Sequence, residues 1–265
     1  MKKQKPSISF GKMRVLFLDI ETAPNLVYAW GLWRQNIAIN QIVEPSHVMC
    51  WSAKWLGEKE IMFASREGGK TKEMLAKIWD LLNEADVVVT YNGKSFDVPR
   101  LNNEFKKHGF APPSPYQQVD LYRVIRSVFD LPSNKLEYVV RYFNIGHKVK
   151  TAGMELWVGC MNGDKKCWAK MESYNKGDVK LTERLYKEIL PWIKGHPNHG
   201  LFMGAEIVCP NCGSTSVQKR GLSISGANIY QRYQCMEKSC GKWSRGKKNV
   251  TREVFPVDNP GSLRG

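Results

Sequence analysis

The sequence predicts an α/β domain built on a central buried strand, followed by a small cysteine-bearing β module. Three observations carry this expectation. An unbroken apolar run from Val15 to Leu18 leads into Asp19 and Glu21. Short β-branched runs then alternate with apolar stripes of helical period. Beyond residue 208, four of the seven cysteines fall in two close pairs.

The run from Val15 to Thr22 reads as a strand buried on both faces, at the centre of a sheet. Residues i and i+2 of a strand share a face, so Asp19 and Glu21 project together from its end. Adjacent buried carboxylates repel, and a hard divalent cation such as Mg²⁺ or Mn²⁺ relieves that repulsion. On these residues alone, solvated carboxylates at a strand end remain the alternative. The stretch from Ala23 to Pro45 holds Tyr28, Trp30 and Trp33. It reads as a helix packing its aromatics, with a substrate-facing insertion as the second reading. Strands are expected over Val48 to Leu56 and Glu60 to Ala64, forming an antiparallel meander with the first. A helix follows over Lys72 to Glu84.

Asp86 to Tyr91 is the next strand, and it leads into Asn92-Gly93-Lys94-Ser95-Phe96-Asp97. Asp97 stands before Pro99 and a helical pattern, so it is placed either as a helix cap or as a carboxylate facing the Asp19 strand end. Asn92 and Gly93 fit a tight turn close to a substrate phosphate or sugar. A strand-like piece surrounds Asp120, itself a turn or cap residue, with a supporting role at the site as the second reading. Asn134 and Glu137 suggest a capping box for a helix running through Phe143. Lys148 to Lys170 reads as irregular because of its glycines, with an accessory loop over the substrate as a second reading. A last helix, about Ser173 to Ile193, carries Tyr174 and Asp178 on one face at i, i+4 spacing.

The chain has 265 residues, 42% hydrophobic composition and a formal net charge of +15. So basic a balance points to a polyanionic partner, nucleic acid before anionic membrane. No run approaches the ~18 consecutive apolar residues of a membrane span. The basic N-terminus has no apolar segment after it, which predicts a short tail, no signal peptide and a cytoplasmic protein.

Asp19-Ile20-Glu21, the run from Asn92 to Asp97, and Tyr174 to Asp178 resemble, in order, the three exonuclease motifs of the DEDD superfamily (DnaQ-like, ribonuclease H-like fold). Tyr174, four residues before Asp178, matches the tyrosine branch, and the resemblance covers about residues 13 to 194. It implies a five-stranded mixed sheet flanked by helices, its first three strands antiparallel. It also implies two Mg²⁺ or Mn²⁺ ions: Asp19 bridging them, Glu21, Asp97 and Asp178 completing the ligands, and Tyr174 positioning the attacking water. The implied reaction is hydrolysis of the terminal 3′-phosphodiester with release of nucleoside 5′-monophosphates.

Cys209 and Cys212, then Cys235 and Cys240, have the layout of a zinc ribbon, and four thiolates suit one structural Zn²⁺. The hairpin between them is expected over Ser216 to Lys219 and Ile229 to Gln234, with Gly221 and Gly226 at turns. Residues 206 to 265 contain ten Lys or Arg against four Asp or Glu. Arg220, Arg232, Lys242, Arg245, Lys247 and Lys248 form a candidate phosphate-contacting surface, interleaved with Tyr230, Tyr233 and Trp243. The alternative is that these aromatics are the module's own core. Cys50 is expected in the core, and Cys160 and Cys167 receive no role.

The expected organisation is a basic tail (1–12), a nuclease domain (13–194), a linker (195–205), a zinc ribbon (206–248) and a C-terminal tail (249–265). The expected activity is a metal-dependent 3′–5′ exonuclease acting on single-stranded or 3′-ended DNA in preference to RNA, with no membrane partner. A structure-selective endonuclease and a catalytically inactive nucleic-acid-binding module are the alternatives.

Overall fold

The computed structural model describes residues 12–149, 153–203, 207–226 and 228–251. The expected N-terminal tail, apart from Lys12, and the C-terminal tail beyond Thr251 lie outside them. The chain forms two compact units, one of Arg14–Lys187 and one holding the residues from Glu188 onward together with the N-terminal residues through Met13.

The first unit begins with β1 (Val15–Thr22), a short pair β2 (Leu26–Val27) and β3 (Ile42–Glu44), then β4 (Val48–Trp55) and β5 (Met62–Ser65). Helix α1 (Thr71–Glu84), β6 (Val87–Thr90), α2 (Asp97–Lys107), β7 (Gln117–Asp120), α3 (Leu121–Val128), α4 (Leu136–Tyr142), α5 (Met154–Met161) and α6 (Lys165–Ile189) follow. The five-stranded sheet has order β5-β4-β1-β6-β7, which puts β1 at its centre. β1 pairs antiparallel with β4 and parallel with β6, while β4 and β5 are antiparallel. This is the mixed sheet and antiparallel meander expected from the sequence.

Alternation along β1 divides the core. Leu16, Leu18 and Ile20 pack with Met74, Leu75, Ile78 and Leu82 of α1 and with Leu101 and Phe105 of α2. The odd-numbered face carries Phe17, Asp19 and Glu21. There Tyr186 of α6 meets Phe17 edge-on at 5.3 Å between centroids. The 25-residue α6 therefore brings its polar residues over the same face as the two β1 carboxylates.

Several local expectations are corrected. The stretch from Lys148 to Lys170 is not irregular, because it contains α5 and the start of α6. Gly163 has φ 79° and breaks the chain between these helices. Asp164 then accepts hydrogen bonds from the amides of Lys166 (2.7 Å) and Cys167 (3.4 Å), which starts α6 well before Ser173. Gly159 sits inside α5, where a Cβ would lie 2.3 Å from Cys167 Sγ, so its missing side chain permits the close helix packing. Asn134 does not cap α4. Its carbonyl instead accepts from the Tyr91 hydroxyl, and the N-cap residue is Lys135, with no side-chain cap bond. The strand around Asp120 ends there, and Asp120 caps α3 by accepting from the Tyr122 amide at 3.1 Å.

The aromatics after β1 are not packed in a helix. β2 and β3 pair as a small antiparallel ribbon, with Leu26 opposite Glu44 and Val27 opposite Ile42. Trp30 is 97% exposed, Leu32 91%, Trp33 85% and Tyr28 74%.

In the second unit, a short helix α7 (Gly200–Met203) lies in the expected linker, and β8 (Val217–Ser225), β9 (Asn228–Cys235) and β10 (Trp243–Asn249) form a three-stranded sheet of order β10-β9-β8. The first strand is longer than expected. Gly221 is no turn: with φ 68° it sits at a break in register between Lys219 and Leu222 inside β8. β10 adds a strand beyond the expected hairpin. Among the described residues, this module's buried apolar cluster consists of Cys209, Cys235 and Cys240, with Cys212 and Val217 packed against it.

Candidate active site

The end of β1 supplies Asp19 and Glu21, and α6 supplies Asp178. Oxygen atoms of these three carboxylates lie within 4.8 Å of one another. Asp97, the first residue of α2, adjoins them. Its side chain does not cap that helix. Its Oδ1 accepts the Ile20 amide at 3.0 Å, which ties the β6–α2 connection to β1.

That connection is itself held in shape. Asn92 takes φ 69°, and a Cβ on Gly93 would lie 2.3 Å from Thr90 Oγ1, so only glycine fits there without displacement. The Asp120 carboxylate accepts the amides of Asn92 (2.9 Å) and Lys94 (3.2 Å) as well as that of Tyr122. One buried side chain thus fixes both the 92–94 turn and the start of α3.

Crowding and burial work against ionisation of the cluster. Burial pushes Asp19 well above the usual carboxylate range, and the charges of Asp97, Glu21 and Asp178 push it further. Burial, then Asp178, raises Glu21 to about 8. Asp97 is raised to about 7, mainly by burial. Asp178 is also raised by burial, with Lys148 opposing.

Two contributors were missed in the sequence. Lys148 Nζ lies 2.6 Å from Asp178 Oδ2 and donates to the Tyr174 hydroxyl at 3.1 Å. Burial acts to lower the Lys148 pKa, but Asp178 and Tyr174 hold it above its ordinary value. Asn175, with no exposed surface, donates from Nδ2 to Asp19 Oδ2 at 2.6 Å. A polar residue in line with buried Met171, Asp178 and Val179 on α6 was the available signal for Asn175. Lys148 lies in a stretch without periodicity and offered none.

Tyr174 is half-buried, with Trp157 edge-on at 6.1 Å and the Lys148 ammonium 5.0 Å from the ring centre. Burial, then the Asp178 charge, raises its phenol above the ordinary value. Beside it opens a cleft of about 1170 Å³ lined by Glu137, Arg141, His147, Lys148 and Tyr174 among others.

In the second unit, the four sulfurs of Cys209, Cys212, Cys235 and Cys240 lie within 4.8 Å of one another. The Cys209–Cys240 and Cys212–Cys235 separations are both 3.7 Å. Hydrogen bonding from the Cys212 thiol is the main influence holding Cys209 down at about 5. Of the six basic residues expected on the surface, one is turned away from it. Lys242 turns inward and donates to the carbonyls of Pro191 (3.0 Å) and Ile193 (2.8 Å). Arg232 donates to the Arg220 carbonyl and stacks over Trp243 at 4.7 Å, and Arg245 stacks over Tyr230 at 4.0 Å. Arg220, Arg232, Arg245, Lys247 and Lys248 are exposed on the three strands. Trp243, 47% exposed, is no core residue.

A family model of the RNase H superfamily matches residues 16–190. The chain is 28% identical over 210 residues to a DNA polymerase of Pyrococcus glycovorans, covering 68% of this chain and 25% of that protein. It is 28% identical over 171 residues to DNA polymerase 1 of Pyrococcus abyssi, covering 56% of this chain and 21% of that protein. The chain therefore spans about a quarter of the length of these relatives. Among solved structures, the family B DNA polymerase of Pyrobaculum calidifontis shares the fold, with a TM-score of 0.54 and 20% identity over 68% of this chain and 25% of that one. With the family match extending from β1 to the end of α6, the chain belongs to the RNase H superfamily.

Proposed function

We propose that this chain is a divalent-metal-dependent nuclease that hydrolyses phosphodiester bonds from the 3′ end of a nucleic acid strand. The observation that carries this reading is the convergence of Asp19, Glu21 and Asp178 within 4.8 Å at the half-buried end of β1. Burying like charges together is costly unless a cation compensates them. An all-carboxylate donor set suits Mg²⁺ or Mn²⁺, with Asp97 completing the ligands. Bound there, two such ions supply Lewis acidity at the phosphoryl group and a more acidic attacking water.

The surrounding side chains have roles that follow from their bonds. Asn175 orients Asp19, and the Ile20 amide orients Asp97. Because its pKa is raised, Tyr174 keeps its proton near neutral pH and serves to orient water through its hydroxyl. Lys148 adds a positive charge beside Asp178, suited to a phosphate entering from the adjoining cleft. Asn92, on a turn fixed by Asp120, is assigned to contact with the substrate backbone. DNA is favoured over RNA, which the similarity to proteins named DNA polymerases supports.

The cysteine cluster we assign to one structural zinc. A Zn–S bond of ~2.3 Å in tetrahedral geometry places sulfurs ~3.8 Å apart, close to the separations seen. The exposed arginines and lysines of β8–β10 then tether the substrate by charge.

A cleavage time course with Mn²⁺ tests the reading, comparing 5′-labelled linear single strands of DNA and RNA with a closed circular single strand. A descending ladder from linear DNA with the circle intact is expected. Nicked circles would make the enzyme an endonuclease.

A further inference from the structure

The ribbon of β2 and β3, with the turn that joins them, presents Tyr28, Trp30, Leu32 and Trp33 at 74% to 97% exposure. Clustered exposure of large apolar side chains on a protein surface marks a binding site. The flanks of the arm are held by hydrogen bonds. Gln41 Oε1 accepts the Ala38 amide at 2.8 Å, and Gln41 Nε2 donates to the Tyr28 carbonyl at 2.8 Å. Its root is pinned by the Ala23 amide on the His47 carbonyl, the Ser46 amide on Asn25 Oδ1 (2.6 Å), and the Ser46 hydroxyl on the Ala23 carbonyl (2.6 Å). The flanks of the arm at Tyr28 and at Ala38 to Gln41 are hydrogen-bonded while the aromatics between them stay in water, so folding alone does not account for them.

We propose that this arm is a stacking platform for unpaired bases, holding single-stranded nucleic acid on its way to the β1 carboxylates. Three features favour that occupant. The side chains are aromatic at Tyr28, Trp30 and Trp33, which suits base stacking without sequence preference. From Ala23 to Val43 the only charged residue is Arg34, and the one carboxylate of the ribbon, Glu44, stands at its root opposite Leu26, in a protein of net charge +15. The arm also continues directly from β1: Trp30 lies nine residues beyond Glu21, no more than roughly 30 Å along the chain. Delivery of the strand to the carboxylates rests on the nuclease reading, whereas the stacking does not.

The test uses the full zinc-loaded chain and a 5′-fluorescein oligothymidylate, with anisotropy read in the absence of Mg²⁺ and Mn²⁺. The exposed pair Trp30→Ala/Trp33→Ala should weaken binding about tenfold or more, as expected for two lost stacked bases. An abasic strand of the same length should bind the two proteins alike. Hydrolysis of a dinucleotide, which offers few bases to stack, should change less between the two than hydrolysis of the long strand. Thymidylate affinity within about twofold of wild type would overturn the proposal, as would an equal loss on the abasic strand. A variant that turns from dimer to monomer in sedimentation while binding thymidylate unchanged would assign the arm to a second copy of the chain and overturn it too. Failure of the wild-type chain to cleave any strand would sink the nuclease reading alone, because binding is read without the catalytic cation.

Discussion

Lys148 Nζ and Asp178 Oδ2 stand 2.6 Å apart, and the same ammonium reaches the Tyr174 hydroxyl at 3.1 Å. The cation thus offsets part of the charge that a metal ion would otherwise compensate. Replacing it should favour metal binding: Lys148→Gln should tighten Mn²⁺ binding by roughly three- to tenfold, taking this partly buried ion pair at about 1 kcal/mol. Titration calorimetry with Mn²⁺ checks this, and weaker binding in the variant would contradict it.

Asn175 has a different task, since its amide holds the buried Asp19 carboxylate. Asn175→Ala should cost about 1–3 kcal/mol by leaving that carboxylate without its donor. Asn175→Asp should cost more, because it adds a negative charge to the cluster. Urea unfolding of the two variants measures both effects.

The carboxylates give the metal-free protein an unusual pH dependence. Glu21 is raised to about 8 and Asp97 to about 7, both well above the ordinary carboxylate range. Between the unfolded and folded values the native state binds more protons, so stability rises as pH falls. In zinc-loaded protein without Mg²⁺ or Mn²⁺, stability should increase from about pH 8 down to about pH 6.5, where unfolded histidines begin to titrate. Below that, the half-buried His47 and the buried His196 and His199, whose pKa values are lowered chiefly by burial, oppose the trend. Urea midpoints that climb with pH across that window would contradict the raised carboxylates.

The cysteine cluster forms the buried centre of the C-terminal module. Cys235→Ser should therefore lose zinc and unfold β8–β10, while the first unit keeps its thermal transition. Atomic absorption should fall from one zinc per chain to a small fraction of that, and unchanged zinc content would contradict the assignment.

What was legible in the sequence follows from what is local. Asp19 and Glu21 could be placed together because strand alternation fixes their side, and the central position of β1 follows from its apolar run. Lys148 joins the cluster only through a contact 30 residues apart in sequence, which no periodicity encodes. Gly159 reads locally as a breaker, yet it lies inside a helix because Cys167 of α6 approaches it. β2 and β3 are too short to leave a pattern. Hydrophobicity alone argued for burying Trp30 and Trp33, the opposite of where they lie. β10 was overlooked because Arg245, Lys247 and Lys248 were read as charge, although Trp243 and Arg245 alternate with Ser244 and Gly246 as a strand does.

The most direct measurement of the central claim is hydrolysis of a 5′-labelled linear DNA strand in Mn²⁺ by wild type and by Asp19→Ala, with strand binding followed in parallel. A two-cation site predicts that the variant binds the strand at least as well as wild type and cuts it at least about a thousandfold more slowly, the scale of losing a group that stabilises the transition state. Undiminished cleavage by Asp19→Ala would contradict it and remove the β1 carboxylates from the chemistry.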